Sequence, residues 1–465
     1  QSFRYLSASH LLKSYLSRDY KNLRDYKPSE LTKNLITECD QSIDFVISPS
    51  INMINSAILI TVLSSVLFYI NYMAAILAMA SLGIIYLSIF FLSRKDLEKN
   101  KLIREEENKR RYNIPLSSFS LIKELKFYDL NAYFAKQFEE SNKALSNAMT
   151  TIQTRTQSPK FLVESALLII VSIATLSIYA SNNSSDRLEL LSILSSFGFA
   201  AYRIIPSIQA FFYGRSLFKF GSESFLILYD EISESETEKV LVKRANINLA
   251  SIKINPYYYE LGERKFKLLK KLEFFSGHSY LILGKSGLGK TTLIDNISGL
   301  YKNDQISYFN KKGKEIEIEK INVGIVSQNT TVLDKPLFFN ISLREHNSLS
   351  KKEINFCNEL LDLVGLTEEV EERFIAKDGV GEMGAFLSGG QKQRLAICRA
   401  LFKRPNLLIF DETFSGIKEE MEGKILNSVK LLLPESILLI VSHRNSTSEF
   451  VSDQIDLDNN IEVLE

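Results

Sequence analysis

"YLILGKSGLGKTT" runs from Tyr280 to Thr292 and changes character halfway. Its first four residues are apolar or aromatic and read as a buried strand. The remainder is glycine-rich and closes on Lys-Thr-Thr, where a helix can start. Gly284, Gly289, Lys290 and Thr291 fit the spacing G-x-x-x-x-G-K-[ST]. Glycines let successive backbone N–H groups surround phosphates, Lys290 reaches the β- and γ-phosphates, and the Thr291 hydroxyl goes to Mg²⁺. The nucleotide-binding run is therefore Gly284, Lys285, Ser286, Gly287, Leu288, Gly289, Lys290, Thr291 and Thr292. A glycine-rich loop alone is weak; its place between strand and helix gives it meaning.

Outward from that loop, from about residue 245, short apolar runs alternate with polar, helix-like stretches, the pattern of an α/β unit with a mostly parallel sheet. Three such runs end in polar residues: "VGIVSQ" at Gln328, "NLLIFDE" at Asp411 and Glu412, and "SILLIVSH" at His443. Ligands of open α/β sheets sit beyond the carboxyl ends of strands. Asp411 is placed to hold Mg²⁺, with Thr291 and Gln328 beside it. Glu412 would polarise an attacking water, Gln328 would approach metal and water, and His443 would touch the γ-phosphate. Taken singly, a Gln after a strand is usually a turn residue and a lone His usually structural. Their joint order along the chain favours a site.

A second glycine-rich helix start lies at "FLSGGQKQRLAIC", Phe386 to Cys398. Ser388, Gly389, Gly390 and Gln391 would also present free N–H groups to an anion. One chain then carries two phosphate cradles.

The first half differs. From Phe45 to Ser93 there is no Lys, Arg, Asp, Glu or His. A membrane span takes about 20 apolar residues, so this run holds two, near "INMINSAILITVLSSVLFYI" and "MAAILAMASLGIIYLSIFFL", with a tight turn at Asn71 and Tyr72. A second pair lies in "SALLIIVSIATLSIYAS" and "LLSILSSFGFAAYRIIPSI". The alternative is buried helices of a large soluble core, which seldom run so long without charge. "SRKDLEKNKLIREEENKRR" directly follows the second span, and basic ends favour the cytoplasmic side. Both hairpin turns then lie outside. Long helices extend the spans into the cytoplasm, and the acidic "YDEISESETEK" reads as a solvated linker.

Net charge is +1 over 465 residues, which offers no bulk attraction to nucleic acid. Cys39, Cys357 and Cys398 show neither metal spacing nor paired frameworks and read as reduced thiols. The chain begins at Gln1 without a signal peptide, so earlier residues are expected to be missing.

"GKSGLGKTT", Gln328, "LSGGQ", "LLIFDE" and "SHR", in this order, resemble the ATP-binding cassette ATPases from about residue 245 to the end. The resemblance implies ATP and Mg²⁺, and two cassettes paired head to tail. The Ser388–Gln391 run of one subunit would then serve the ATP held by its partner's phosphate loop. "GVGEMGAFLSGGQ" resembles the exporter-type pattern, in which Glu382 would meet the membrane domain. "LIKELKFYDLNAYFAKQF" and "RDYKNLRDYKPSELTKNLITECD" resemble the cytoplasmic loops that dock on the cassette. "AYRIIPS" and the general run of the membrane half are similar to bacterial flippases for lipid-linked oligosaccharides. Such exporters carry six spans per subunit against four legible here, in keeping with a truncated start. Two departures stand out. Lys418 replaces the Asp usual after the catalytic Glu, which puts coupling of the two sites in question. The adenine-stacking aromatic is one of Tyr257, Tyr258 and Tyr259, with Tyr259 preferred.

The expected architecture is an α-helical transmembrane domain (1–230), a linker (231–244) and an α/β P-loop nucleotide-binding domain with a helical subdomain (245–465). The expected function is an ATPase coupled to export or flipping of an amphipathic, lipid-linked glycan across the inner membrane. Its partners are a second copy or paralogous half-transporter and membrane lipid. Peptide or toxin export, and a soluble cassette ATPase, remain open. Arg203, the only basic residue between Leu190 and Tyr213, is either a group on the substrate path or an interfacial anchor.

Overall fold

The computed structural model describes residues 2–24, 26–180, 184–235, 249–261, 264–285, 287–442 and 444–464, with some side chains of the long helices outside that description. Two compact units result: Gln1–Leu16 with Tyr26–Glu238, and Ser17–Asp25 with Lys239–Glu465.

The first unit is helical. Its main elements are α1 (Pro28–Ile70), α2 (Tyr72–Ser120), the short α3 (Ile122–Phe127), α4 (Asn131–Ala180) and α5 (Ser184–Ser235). At 1.5 Å per residue, helices of 43 to 52 residues reach ~65–78 Å, about twice a ~30 Å hydrocarbon core, so each is far longer than one bilayer crossing needs. Asn71 leaves helical geometry (φ −154°, ψ 100°) and Tyr72 starts α2, so the expected turn is a single residue. Among the described residues α1 is the one helix that qualifies by length and composition as a span candidate. The other three expected spans fall in α2, α4 and α5, many of whose side chains lie outside the described residues. Two π-turns, Asn34–Glu38 and Ile43–Ile47, interrupt α1. Gly214 and Gly221 of α5 lie against α1 so closely that an added Cβ would come within 2.5 Å of Met53 or Phe45. Residues 231–235 of the expected linker are helical. The helix continues to Ser235, and 236–244 lies outside the described residues.

The second unit contains β1 (Leu249–Ile254), β2 (Tyr258–Leu261), β3 (Arg264–Leu268), β4 (Leu272–Phe275), β5 (Ser279–Leu283), α6 (Lys290–Ile297), β6 (Ile306–Asn310), β7 (Glu315–Ile316) and β8 (Val323–Val326). The chain continues through α7 (Leu337–Ser342), α8 (Lys351–Leu363), α9 (Gly389–Phe402), β9 (Leu407–Asp411), α10 (Glu419–Leu432), β10 (Ile437–Val441), β11 (Asp453–Asp456) and β12 (Ile461–Leu464). The central sheet is parallel, in the order β11-β5-β10-β9-β8. Two antiparallel sheets, β4-β1-β6-β7 and β12-β3-β2, complete the unit.

Both faces of the parallel sheet are covered, so its strands read as continuous apolar runs. Alternate residues serve opposite cores. Leu408 and Phe410 pack with Leu360, Leu395 and Leu401 of the helical subdomain, while Leu407 and Ile409 pack with Leu293 and Ile297 of α6. Cys357 and Cys398 are buried free thiols in the first of these cores, and Cys39 is a buried free thiol of the helical unit.

Candidate functional site: a phosphate loop and a second glycine helix start

The parallel strands β5, β9 and β8 deliver their chemistry at one edge. Beyond β5 the backbone turns through Gly287 (φ 86°) and Gly289 (φ 78°), left-handed positions that suit glycine. A Cβ on Gly287 would meet nothing within 4 Å, so this part of the loop is open to a ligand. Gly289 is the N-cap of α6 and offers no side chain to its N–H groups. The buried Lys290 folds back and donates from Nζ to the Gly284 carbonyl at 2.6 Å. Burial pulls its pKa down, against the opposing carboxylates of Glu412, Asp411 and Asp458. Asp458 also accepts from the Lys285 N–H at 3.1 Å. Ser286 lies outside the described residues.

Thr291 donates its hydroxyl to Asp411 Oδ2 at 3.2 Å. Asp411 ends β9, and burial lifts its carboxyl above the usual range; Glu412 adds to the rise, while the Thr291 hydrogen bond and Lys290 oppose it. Gln328, two residues past β8, donates from Nε2 to Glu412 Oε2 at 2.8 Å. That leaves the Gln328 amide oxygen, the Thr291 hydroxyl and the Asp411 carboxylate as a hard oxygen set of the kind Mg²⁺ takes. Glu412 has a left-handed backbone (φ 48°, ψ 28°) and opens the turn Thr413–Gly416. His443 lies outside the described residues, between Ser442 and Arg444 at the exit of β10.

The tyrosines weighed for adenine stacking differ in exposure. Tyr259 is buried, its ring stacked on Phe266 at 5.3 Å, its edge 2.9 Å from where a Gly289 Cβ would be, and its hydroxyl bonded to the Leu288 carbonyl. It packs against the glycine-rich loop at Leu288 and Gly289. Tyr258 on the same strand is 65% exposed, with Lys267 over its ring at 5.3 Å. Alternation along β2 turned one tyrosine inward and the other outward.

The second cradle is finished differently. Ser388 caps α9: its hydroxyl accepts from the Gln391 N–H at 3.3 Å, and Gln391 Oε1 accepts from the Ser388 N–H at 2.8 Å. That S-x-x-Q capping box was readable from the sequence as a helix start. Gly390 lies so near the turn after Glu412 that a Cβ would sit 2.7 Å from the Gly416 carbonyl oxygen, whereas Gly389 has open space.

Sequence reasoning missed the clasps around these loops. Arg394 is buried and holds Glu369 together with the carbonyls of Val364 and Gly365. The Arg394 hydrogen bond holds the Glu369 carboxyl below its usual range, with a small addition from Lys418, which N-caps α10 without a side-chain bond. Residues 17–25, which include the start of the segment resembling a docking loop, belong to this unit. Tyr20 meets Tyr301 edge-on at 5.9 Å, and the Arg24 guanidinium lies 6.0 Å from the same ring. Beside it, burial and Asp411 push Asp295 up to about 6, with Arg24 opposing. Arg203 belongs to the helical unit and is exposed on α5.

Residues 270–415 match the ABC transporter family. An ATP-dependent lipid A-core flippase of Francisella tularensis subsp. holarctica (strain OSU18) is 26% identical over 332 residues, covering 68% of this chain and 54% of the relative. A lipid A-core flippase of Shewanella sp. (strain MR-4) is 31% identical over 238 residues, 49% of this chain and 38% of the relative. The chain thus spans about half or less of the length of these curated relatives. A solved bacterial Atm1-family ABC exporter with ATP bound shares the fold at a TM-score of 0.72 and 16% identity, covering 98% of this chain and 80% of its own. Residues 270–415 thus carry a domain of the ABC transporter family, and the chain as a whole shares the exporter fold, a helical region followed by an α/β nucleotide-binding unit.

Proposed function

We propose that this chain is one half of an ATP-driven exporter, in which paired cassettes hydrolyse ATP and the helical halves move an amphipathic, lipid-linked substrate across the inner membrane. The observation that carries the catalytic part is the convergence of Lys290, Thr291, Asp411, Gln328 and Glu412 at one sheet edge. The phosphate loop holds the nucleotide on its N–H groups, and Lys290 neutralises the outer phosphates. Mg²⁺, held through Thr291, Asp411 and the Gln328 oxygen, supplies charge neutralisation when bound. Glu412, fixed by Gln328, orients the attacking water, and His443 contacts the γ-phosphate. Ser388, Gly389, Gly390 and Gln391 serve the ATP held by the partner, a second copy or paralogous half-transporter. Tyr258, the outward-facing ring, is the platform for adenine.

The lipid-type substrate is supported by the relatives named lipid A-core flippase and by α1, a charge-poor helix long enough to cross a bilayer. Arg203 is the candidate group for an anionic part of that substrate, since a guanidinium in the span pairs well with phosphate. The test is the full chain in proteoliposomes, with ATP hydrolysis and translocation of a fluorescent lipid-linked phosphoglycan read in one sample. Glu412→Gln should bind ATP while hydrolysing it at least about 10²-fold more slowly. Arg203→Ala should lose transport and keep basal hydrolysis. Parent-rate hydrolysis by Glu412→Gln overturns the catalytic reading, and full transport by Arg203→Ala removes Arg203 from the substrate path.

A further inference from the structure

The turn after Glu412 is held from three sides. Its entry is tied to β8, where the Thr413 hydroxyl donates to the Val326 carbonyl at 3.0 Å. From α9, Gln393 accepts from the Gly416 N–H at 3.0 Å and donates to the Ser415 hydroxyl at 3.2 Å. From the loop after β10, the Arg444 guanidinium donates to the Ser415 carbonyl at 3.0 Å and the Ile417 carbonyl at 2.8 Å. The same guanidinium meets Glu422 Oε2 at 3.1 Å.

Glu422 is the unusual member. Its carboxylate is 1% exposed, and a buried charge needs full partnership. It has that partnership: Arg444 on one oxygen, and the Thr447 hydroxyl donating to the other at 2.6 Å. With the single Thr447 proton so used, the Ser442 hydroxyl 3.1 Å away donates to Thr447, and Ser442 in turn accepts from the Arg444 N–H at 3.1 Å. The residues on both sides of His443 are therefore pinned to one buried acid.

Resting on the reading of Glu412 as the hydrolytic carboxylate, we propose that Arg444, anchored on Glu422, is a positioning residue that fixes the turn opened by Glu412 and the loop carrying His443 as one piece. Two features of the geometry require such a clamp. Glu412 stands in a left-handed backbone that a non-glycine residue keeps only when its surroundings enforce it. The turn carries Gly416, whose own backbone resists bending little, and its carbonyl is packed so close to α9 that a Cβ on Gly390 would lie 2.7 Å from it. A planar guanidinium meets two carbonyls and a carboxylate at once. A lysine ammonium can satisfy Glu422 but not span both carbonyls.

The test uses the purified full chain in nanodiscs, with ATPase kcat and KM, binding of a fluorescent ATP analogue, and thermal midpoint measured together for the parent, Glu412→Gln, Arg444→Lys and Glu422→Gln. Arg444→Lys should keep the thermal midpoint and ATP affinity near the parent's while kcat falls roughly ten- to hundredfold, the usual loss from misplacing a reacting group. Glu422→Gln should lower kcat in the same direction with ATP affinity kept. Parent-like kcat in Arg444→Lys, or a loss of kcat matched by equal losses of binding and thermal midpoint, overturns the clamp. Parent-rate turnover by Glu412→Gln overturns the functional reading itself and this role with it. A dead Glu412→Gln beside an unaffected Arg444→Lys overturns the clamp alone.

Discussion

The cassette begins two helices on glycine and treats their free N–H groups in opposite ways. At α6 the N-cap is Gly289, with no side chain to offer, and Lys290 comes next. At α9 the N-cap is Ser388, and its hydroxyl together with Gln391 closes a capping box. The first start is incomplete without an outside anion. The second is a finished helix that keeps the Gly389 and Gly390 N–H groups for a visitor. The difference fits the proposed sharing of one ATP across two subunits, with one loop retaining phosphates and the other touching and releasing them.

The contrast breaks first at the two loops themselves. Lys290→Ala and Ser388→Arg should each, as uniform assemblies, lose ATPase activity by roughly 10²-fold or more, because each removes a positioned phosphate contact. Mixed together they should regain activity, since one composite site then joins an intact phosphate loop to an intact α9 start. The measurement is ATP hydrolysis against mixing ratio. Strong activity of Ser388→Arg alone would show that α9 serves no partner's nucleotide.

A smaller effect separates two adjacent glycines. A methyl on Gly390 would lie 2.7 Å from a backbone oxygen, while one on Gly389 meets nothing within 4 Å. Gly390→Ala should cost about 1–3 kcal/mol of cassette stability, the usual range for overpacking. Gly389→Ala should leave stability level and lower only turnover. Thermal melts of the two variants decide it, and equal midpoints would mean the turn at Gly416 yields freely.

The smallest effect concerns Asp295, one turn into α6. Its carboxyl is raised from 3.8 to about 6, first by burial and then by Asp411. The folded state therefore binds the proton more tightly than the unfolded one. The resulting stability is present below pH 3.8 and is lost as pH rises through about 6. Asp295→Asn should match the parent's thermal midpoint near pH 3.5 and exceed it at pH 7 by roughly 2–4 °C for a domain of this size. A constant difference across that range would remove Asp295 as a titrating group of the fold.

Much of this was legible because it is local in sequence. The phosphate loop, the strand-ending Gln328, Asp411 and Glu412, and the serine-glycine start at Ser388 each announce themselves within a few residues. The parallel sheet was visible in its unbroken apolar strands, which are covered on both faces. What stayed hidden depends on partners far along the chain. Nothing near Glu422 shows that Arg444 and Thr447 meet it, and both are more than 20 positions away. Distance from the loop left Tyr257, Tyr258 and Tyr259 alike, but strand alternation and Phe266, the partner of Tyr259 on β3, decided which ring is buried. The late end of α5 at Ser235 escaped because an acidic stretch reads equally as solvated loop and as the exposed face of a helix.

On the proposed role of Glu412 as the hydrolytic carboxylate, its left-handed backbone sets the protein's interests as a catalyst against its interests as a durable object. Glycine or asparagine would occupy φ 48° with less strain, by about 1 kcal/mol or more. Laboratory evolution that rewards only heat resistance should therefore discard Glu412 early, and the survivors would be sturdier chains that hold ATP and do nothing with it. Engineering this cassette for robustness has to select for turnover at every round, because the residue proposed to orient the attacking water is also one the fold would give up readily.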